Sequence, residues 1–526
     1  VDAFSARYNA AVDLVDRHVA EGRGARLAYR DDRGSYSYAE LSARVDAAGG
    51  ALAALGIEPE QRVLLLLLDT IDFPAVFLGA MKLGAVPVPV STMLTPADYA
   101  FFLRDSRARA VVVSDALVPA LEAALAITRA GSHDHHAARV RHVVVASSPL
   151  GGPAHAHLRL DELVARAPAT LSAADTSPDD VAFWLYSSGS TGTPKAAVHL
   201  HAHLRRTATL YAEGVLGITA GDVVYSAAKL FFAYGLGNAL TFPLAVGASA
   251  VLCAARPTPA VVARVMRASA PTIFCGVPTL FASLLADADV AEHGLSPALR
   301  VSTSAGEGLP RHVGEAWRAR FGSDILDGIG STELLHIFLS NRPGAVRYGT
   351  TGTPVPGYEV ALRGDDDGPV ADGEVGALWV HGQTACAGYW NRRALSLATF
   401  QGDWTRTGDR YVRDGDGYYT YAGRSDDMLK VGGIWVAPFE VESALAAHPA
   451  VLEAAVVGAP DGDGLIKPKA FVVLKPGQAA GQALDVELKE LVKSRLAPFK
   501  YPRWIEFVEE LPKTATGKIQ RYKLRG

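Results

Sequence analysis

Ten consecutive residues, Tyr186–Lys195, read Tyr-Ser-Ser-Gly-Ser-Thr-Gly-Thr-Pro-Lys and contain no acid. Ser187, Ser188, Ser190, Thr191 and Thr193 supply hydroxyl groups. Gly189 and Gly192 let the backbone turn tightly and approach a ligand. Successive backbone N–H groups in such a run can form an anion-binding concavity, and Lys195 adds a compact positive charge. The combination suits a polyphosphate. A flexible Ser/Gly linker would have neither the closing Pro-Lys nor the apolar run Val181–Leu185 ahead of it. The common phosphate loop is a different pattern, because it places Gly directly before Lys, whereas Thr193-Pro194 intervene here.

Other stretches carry candidate chemistry. In Asp327–Glu333 (DGIGSTE), Gly328 and Gly330 flank Ile329 and would let a flat ligand lie against the backbone. Thr332 offers a hydroxyl to a phosphate, and Glu333 offers a hard oxygen to a divalent cation, directly or through water. Leu230–Gly237 (LFFAYGLG) is an aromatic run broken by small residues, which suits a core as well as a pocket wall. Leu511–Lys518 (LPKTATGK) ends with Lys518 on a Gly-flexed loop, by composition a basic surface tail, with Lys513 expected to be solvated. His133, His135 and His136 read as a solvated loop tip, since no second ligand cluster accompanies them. His199, His201 and His203 alternate, which on a strand would put all three on one face. Zinc is conceivable there, but local packing and hydrogen bonding is favoured, because no acid or thiol lies nearby.

These side chains need a scaffold. A chain of 526 residues is too long for one core. Strands at Val63–Leu68, Val86–Val90, Ala110–Val113, Val181–Leu185, Ile273–Val277 and Val301–Ala305 alternate with helices, one starting at Tyr38 and another after Pro96. The expected fold class is α/β, with a mostly parallel sheet covered on both faces by helices. The run Gly423–Lys430 reads as a junction. Residues 1–425 would form the large body, and residues 426–526 a small mobile α+β domain with helices at Pro438–Ala447 and Val486–Leu496 and strands at Val451–Val457, Ala470–Leu474 and Trp504–Val508. A net charge of −4 gives no electrostatic case for nucleic acid. The apolar run Val63–Leu68 is far short of a membrane span, so no membrane partner is expected. Cys253, Cys275 and Cys386 are scattered and read as reduced and buried, and the N-terminal stretch has no secretory core; a cytoplasmic location is expected.

Five motifs in order, at 186–195, 327–333, 407–409, 423–430 and 511–518, resemble the adenylate-forming superfamily of acyl- and aryl-CoA synthetases, peptide-synthetase adenylation domains and luciferases. The stretches LFFAYGLGN, DGIGSTE followed by LLHIFLSN, YGTTG, DDMLKVGG and LPKTATGKIQR resemble benzoate–CoA ligases in particular. The resemblance implies ATP, Mg²⁺ and coenzyme A as cofactors, a small aromatic carboxylate as substrate, and a monomer or homodimer. It assigns Ser187, Ser188, Gly189, Ser190, Thr191, Gly192 and Lys195 to the phosphates. Gly306, Glu307, Asp327, Gly328 and Ile329 would border the adenine, and Asp409 would accept both ribose hydroxyls. Arg424, Lys430, Gly432 and Gly433 would contact nucleotide or coenzyme A. Ala233, Tyr234, Ala305, Gly330, His336 and Ile337 would line the aryl pocket. Lys518, Thr332 and Glu333 would be catalytic, with Glu333 toward the metal and Asp426 the hinge. The implied activity is a two-step ligation through an acyl-AMP.

Two departures stand out. The superfamily's usual aromatic-Gly-x-Thr-Glu becomes Ile329-Gly330-Ser331-Thr332-Glu333 here, which removes the expected stacking Tyr. Ala196 replaces the usual Gly after the loop Lys, and Ala limits positive φ, so an altered loop exit is expected. Other readings are an aryl-acid adenylation enzyme that loads a carrier-protein thiol, a non-catalytic nucleotide-binding regulator, and a luciferase-type oxygenase. The regulator should have lost Lys518 or Glu333, and both are present.

Overall fold

The computed structural model describes residues 4–130, 140–187, 193–424, 428–431, 434–462, 465–497, 500–513 and 519–525, with the backbone alone at 430, 434, 435 and 522. His133, His135, His136, Ser188, Gly189, Ser190, Thr191, Gly192, Asp426, Gly432, Gly433 and Lys518 lie outside the described residues, as does the side chain of Lys430. Among the described residues no helix is long and apolar enough to cross a membrane.

The large N-terminal region holds two parallel-rich sheets. The first has five parallel strands in the order Val86–Pro89, Arg62–Leu66, Ala110–Ser114, His142–Ala146, Leu158–Arg159. Its central strands are near-continuous apolar runs, as strands covered on both faces must be. The helices Tyr38–Ala54 and Asp72–Lys82 cross at Gly49 and Gly79; a Cβ on Gly49 would lie 2.6 Å from the Gly79 carbonyl oxygen. Tyr38–Ala54 starts where it does because Ser37 and Glu40 satisfy each other's backbone N–H groups.

The second sheet has nine strands. It is parallel from Asp324–Gly330 through Val301–Ser304, Ile273–Gly276, Val223–Ser226 and Ser249–Val251 to Leu27–Asp31. Antiparallel strands Ile337–Ser340 and Thr353–Pro354 close one edge and Gly34–Ser37 the other. The parallel strands share a carboxyl end, and in open α/β sheets ligands bind there. That end carries Ala305–Gly308, Gly330–Glu333 and the segment leading to Leu230–Gly237.

Two smaller pieces complete the body. The strands Val181–Ser187 and Lys195–Leu200 form an antiparallel ribbon in which Ser187 faces Lys195. An antiparallel sheet is built from Glu359–Arg363, Val375–His381, Trp404–Arg413, Phe400–Gln401 and Tyr419–Arg424, with Asp409 opposite Arg424. The hairpins around Gly402 and Asp414 are local, whereas Val375–His381 pairs with the more distant Trp404–Arg413.

The C-terminal domain is small and separate. Val451–Pro460, Ile466–Leu474 and Trp504–Phe507 form its sheet, packed by helices Pro438–Ala446 and Gln482–Arg495. Its core runs from Leu429 and Val431 to Leu488 and Val492. Lys513 is exposed, as expected, and its ammonium also pairs with Glu453 at 2.7 Å.

The histidine alternation is also corrected. The strand ends at Leu200 and a helix begins at His201, so the three imidazoles do not share a strand face. Local bonding accounts for them. His199 Nε2 donates to the Thr332 carbonyl at 2.7 Å, His201 Nδ1 accepts from the Ala10 N–H at 3.1 Å, and His203 lies against His199.

Candidate active site

The carboxylate of Glu333 is the meeting point of residues expected at the phosphates. Lys195 Nζ lies 3.0 Å from Glu333 Oε1 and donates to the Tyr389 hydroxyl at 2.6 Å. That hydroxyl donates to the same Oε1 at 2.8 Å, and Ser187 Oγ stands 3.4 Å from it. Burial opposes the charged form of Glu333. The Lys195 ammonium and the hydrogen bonds from Lys195 and Tyr389 outweigh burial and hold the carboxyl below its ordinary range. Thr332 contributes its carbonyl to His199, which fixes the backbone just ahead of Glu333. Among the described residues no group of three or more His, Cys, Asp or Glu could hold a metal ion by itself.

Three residues on, the chain has changed direction. Leu335 adopts φ 65°, left-handed backbone that a bulky residue rarely takes. The Leu335 N–H bonds to the Thr332 carbonyl, and the His336 N–H to the Leu334 carbonyl at 2.8 Å. The turn leaves Glu333 with the phosphate-side group and sends His336 to the opposite side.

His336 is buried among Tyr211, Tyr234 and Phe242, with ring centroids 5.3, 5.6 and 4.4 Å away. Its Nε2 is 3.3 Å from the Tyr234 carbonyl oxygen, so the proton sits on Nε2. Burial pushes the imidazole down to about 3, against the pull of that carbonyl, and it is neutral at ordinary pH. Tyr234 shares its hydroxyl with Thr303 Oγ1 at 2.6 Å, and Ala233 opens the short helix Ala233–Leu236. Ala305 and Ile337 are buried beside this cluster. The wall segment is anchored at its start: the Leu230 N–H bonds to Asp69 Oδ1, and Lys229 Nζ donates to the Cys253 and Ala255 carbonyls.

The glycines at 328 and 330 have a packing reason that the sequence did not show. A Cβ on Gly330 would lie 2.4 Å from the His336 carbonyl oxygen, and one on Gly328 would lie 3.0 Å from Ile337 Cγ2. Their own hairpin partner requires them. Asp327 is buried, its carboxyl pushed well above the carboxylate range by burial, and its carbonyl accepts the Asn341 N–H; Ile329 is half-buried on the same strand.

Asp409 and Arg424 pair at 3.4 Å across the strands that carry them. Gly306 turns at φ 101°, and Glu307 Oε1 accepts the Ile519 N–H at 3.1 Å. Gly308 abuts Phe439 of the small domain, where a Cβ would lie 2.5 Å from Cζ. Ala196 is corrected as a constraint: it sits in the extended ribbon opposite Tyr186 and is not among the positive-φ residues, so its side chain restricts nothing there.

Tyr389, Tyr211, Phe242 and Gly237 were missed. Gly237 lies in the quoted aromatic run, and a Cβ there would meet His336 Cδ2 at 2.3 Å. Tyr389 stands alone in Ala-Gly-Tyr-Trp, with no spacing to mark it.

Residues 16–390 match the family described as AMP-binding enzyme, and residues 440–518 match the AMP-binding enzyme C-terminal domain. The chain is 57% identical to a benzoate–CoA ligase of Thauera aromatica, over 99% of this chain and 96% of that one. It is 50% identical to a 4-hydroxybenzoate–CoA/benzoate–CoA ligase of Rhodopseudomonas palustris, over 98% and 94%. The structure of a benzoate CoA ligase from Burkholderia xenovorans superposes with a TM-score of 0.90 at 52% identity, covering 99% of this chain and all of that one. An anthranilate CoA ligase in complex with anthranoyl-AMP gives a TM-score of 0.93 at 42% identity, over 99% and 97%.

Proposed function

The chain belongs to the AMP-binding family of adenylate-forming enzymes, and from that premise we propose how its site works. It is an AMP-forming acid–thiol ligase of the benzoate–CoA ligase type. The acid is benzoate or a small ring-substituted benzoate. The observation that carries this reading is the turn at Leu335, which puts Glu333 and Lys195 on one side and the aromatic nest around His336 on the other, three residues apart. A ring held in the nest would present its carboxylate toward a triphosphate held at Lys195.

In the first step a carboxylate oxygen forms a bond to the α-phosphorus of ATP, and the bond to the bridging oxygen breaks, releasing pyrophosphate. Two anions must meet, so charge stabilisation is the main task. Ser187 and Lys195, with Ser188, Gly189, Ser190, Thr191 and Gly192, hold the β- and γ-phosphates. Glu333, with Thr332 beside it, is the residue that would hold Mg²⁺; a lone carboxylate with hydroxyl oxygens nearby suits a cation whose other ligands are phosphates and water. When bound, Mg²⁺ neutralises charge on the triphosphate. Lys518 contacts the carboxylate and α-phosphate oxygens. Asp409 takes the ribose hydroxyls, and Gly306, Glu307, Asp327, Gly328 and Ile329 flank the adenine.

In the second step the thiol of coenzyme A attacks the acyl carbonyl and AMP leaves. The change of core between Arg424 and Leu429 supports a domain rotation about Asp426 between the steps. Tyr419–Arg424 pairs into a sheet of the large body, whereas Leu429 packs in the small core. Rotation would withdraw Lys518 and bring Lys430, Gly432 and Gly433 to the acyl-AMP, with Arg424 still near Asp409.

The test supplies ATP, Mg²⁺ and coenzyme A with benzoates, cinnamates and medium-chain fatty acids, and measures pyrophosphate and thioester. Thioester from small benzoates supports the reading. Pyrophosphate without soluble thioester would point to a carrier-protein acceptor. Activity with fatty acids alone would overturn the pocket at Ala233, Tyr234, Ala305, Gly330, His336 and Ile337.

A further inference from the structure

Tyr389 lies outside the motifs that define the site, yet it touches both of the site's opposed charges. Its hydroxyl accepts from Lys195 Nζ and donates to Glu333 Oε1, and its ring face lies 4.2 Å from the same ammonium. The residue is buried and held on several sides. Its backbone N–H bonds to Ser396 Oγ at 2.9 Å, its backbone bridges to Ala197, and its ring packs on Phe400. The same stretch of chain grips the backbone around Glu333. The Cys386 N–H donates to the Glu333 carbonyl at 2.7 Å, and Thr384 Oγ1 donates to the Leu334 carbonyl at 2.9 Å.

The contacts to the Glu333 carboxylate are lopsided. Lys195, Tyr389 and Ser187 all converge on Oε1, and among the described residues no hydrogen bond reaches Oε2. One oxygen is anchored, and the other has no hydrogen-bond partner among the described residues. On the ligase reading, on which this inference rests, Lys195 must turn to the phosphates when ATP enters, and the direct Lys195–Glu333 pair must open. A buried carboxylate that loses its cation needs another donor to stay ordered and charged. A phenol supplies one without bringing a charge that would compete with a metal ion.

We infer that Tyr389 is the positioning residue that keeps Glu333 aimed once Lys195 has left it, holding Oε1 so that Oε2 faces the divalent cation carried by ATP. Tyr389 does not touch the reacting atoms. It acts through Glu333, and it also gives Lys195 a resting partner before the nucleotide arrives.

Tyr389→Phe removes the hydroxyl and keeps the ring. Three measurements on the full chain separate a positioning role from a packing role. The first is the Mg²⁺ dependence of benzoate-driven pyrophosphate release. The second is ATP affinity by calorimetry, in Mg²⁺ and in EDTA, without acid. The third is thioester formation from supplied benzoyl-AMP and coenzyme A, a step that needs no triphosphate. The Mg²⁺ midpoint should rise by about tenfold, as expected for a lost hydrogen bond to a charged group. The Mg²⁺-dependent part of ATP affinity should shrink correspondingly, while affinity in EDTA and the thioester step stay near wild type. An unmoved midpoint with an unchanged Mg²⁺ increment overturns the inference. An equal loss in all three assays does the same, since it would mark a packing role. Wild-type protein that releases no pyrophosphate with any benzoate would sink the ligase reading instead, so the two failures are told apart.

Discussion

The backbone N–H of Ile519 donates to Glu307 Oε1 at 3.1 Å, joining the C-terminal arm of the small domain to the Gly306–Gly308 turn of the large one. The same turn is touched from a second direction by Phe439, whose ring lies against Gly308 and edge-on to Tyr421. Both contacts join the small domain to the turn at the carboxyl end of the nine-stranded sheet.

Gly308→Ala would drive a methyl group to 2.5 Å from Phe439 Cζ. Overpacking of that kind costs about 1–3 kcal/mol, and here it falls on one domain arrangement. Pyrophosphate release should drop by about tenfold, while thioester formation from supplied acyl-AMP is spared. Lys518→Ala should show the same split in a more extreme form. Stopped-flow assay of the two half-reactions decides it, and an equal decline in both would contradict the division of labour.

Gly237→Ala should damage the aryl pocket without touching the phosphates. The added carbon would sit 2.3 Å from His336 Cδ2, and the ring cannot retreat because Tyr211, Tyr234 and Phe242 surround it. We expect a KM for benzoate raised at least several-fold, an ATP Kd within about twofold of wild type, and a loss of about 1–3 kcal/mol in stability. A KM for benzoate that does not change would mean His336 is remote from the acid.

Stability should fall on the acid side of neutrality. Burial is the leading cause that holds His199 and His201 down at about 4 and His336 at about 3, and it keeps His203 well below its ordinary value. From those values up to 6.5 the unfolded chain binds more protons than the folded one, so stability rises with pH. Each such site contributes at most about 1.4 kcal/mol per pH unit. Asp69, Asp72 and Asp327 work oppositely: burial raises all three, Asp69 to about 6, and their contribution is lost as pH rises through the raised values. These three carboxyls do not offset six lowered imidazoles, since burial lowers His18 and His312 as well. Urea midpoints should therefore drop between pH 7 and pH 5, and His201→Gln should flatten the slope. A flat profile for the wild type would refute the neutral assignments.

Ala196→Gly should not speed turnover. Residue 196 is extended, paired and buried, so glycine adds backbone freedom to be lost on folding and removes a buried methyl group. A loss of about 1–2 kcal/mol in stability with unchanged kcat is the expected result. A clear gain in kcat would show that the loop exit does depend on glycine.

The sequence reading succeeded where the signal is local. The capped helix at Tyr38, the buried strands at 62–66 and 110–114, and the helix opened by Pro438 were each legible from a few neighbouring residues. It failed where distant segments decide. Nothing around Tyr29 announces that its strand pairs with Ala250, so the strand order of the nine-stranded sheet could not be foreseen. Tyr211 lies in the helical stretch Ala208–Leu216, whose apolar pattern reads only as core. Nor does sequence reveal that the carbonyl of His336 fills the space where a Cβ on Gly330 would lie.

The left-handed Leu335 has an evolutionary corollary. On the proposed reading, two recognition tasks, one for an anion and one for a ring, are written within a handful of residues and kept apart by the left-handed backbone at Leu335. Inserting or deleting one residue between Glu333 and His336 would rotate one task out of register with the other. New substrates in this scaffold are therefore reached by exchanging side chains around a loop of fixed length, and libraries that vary loop length at 331–337 should return almost no active members.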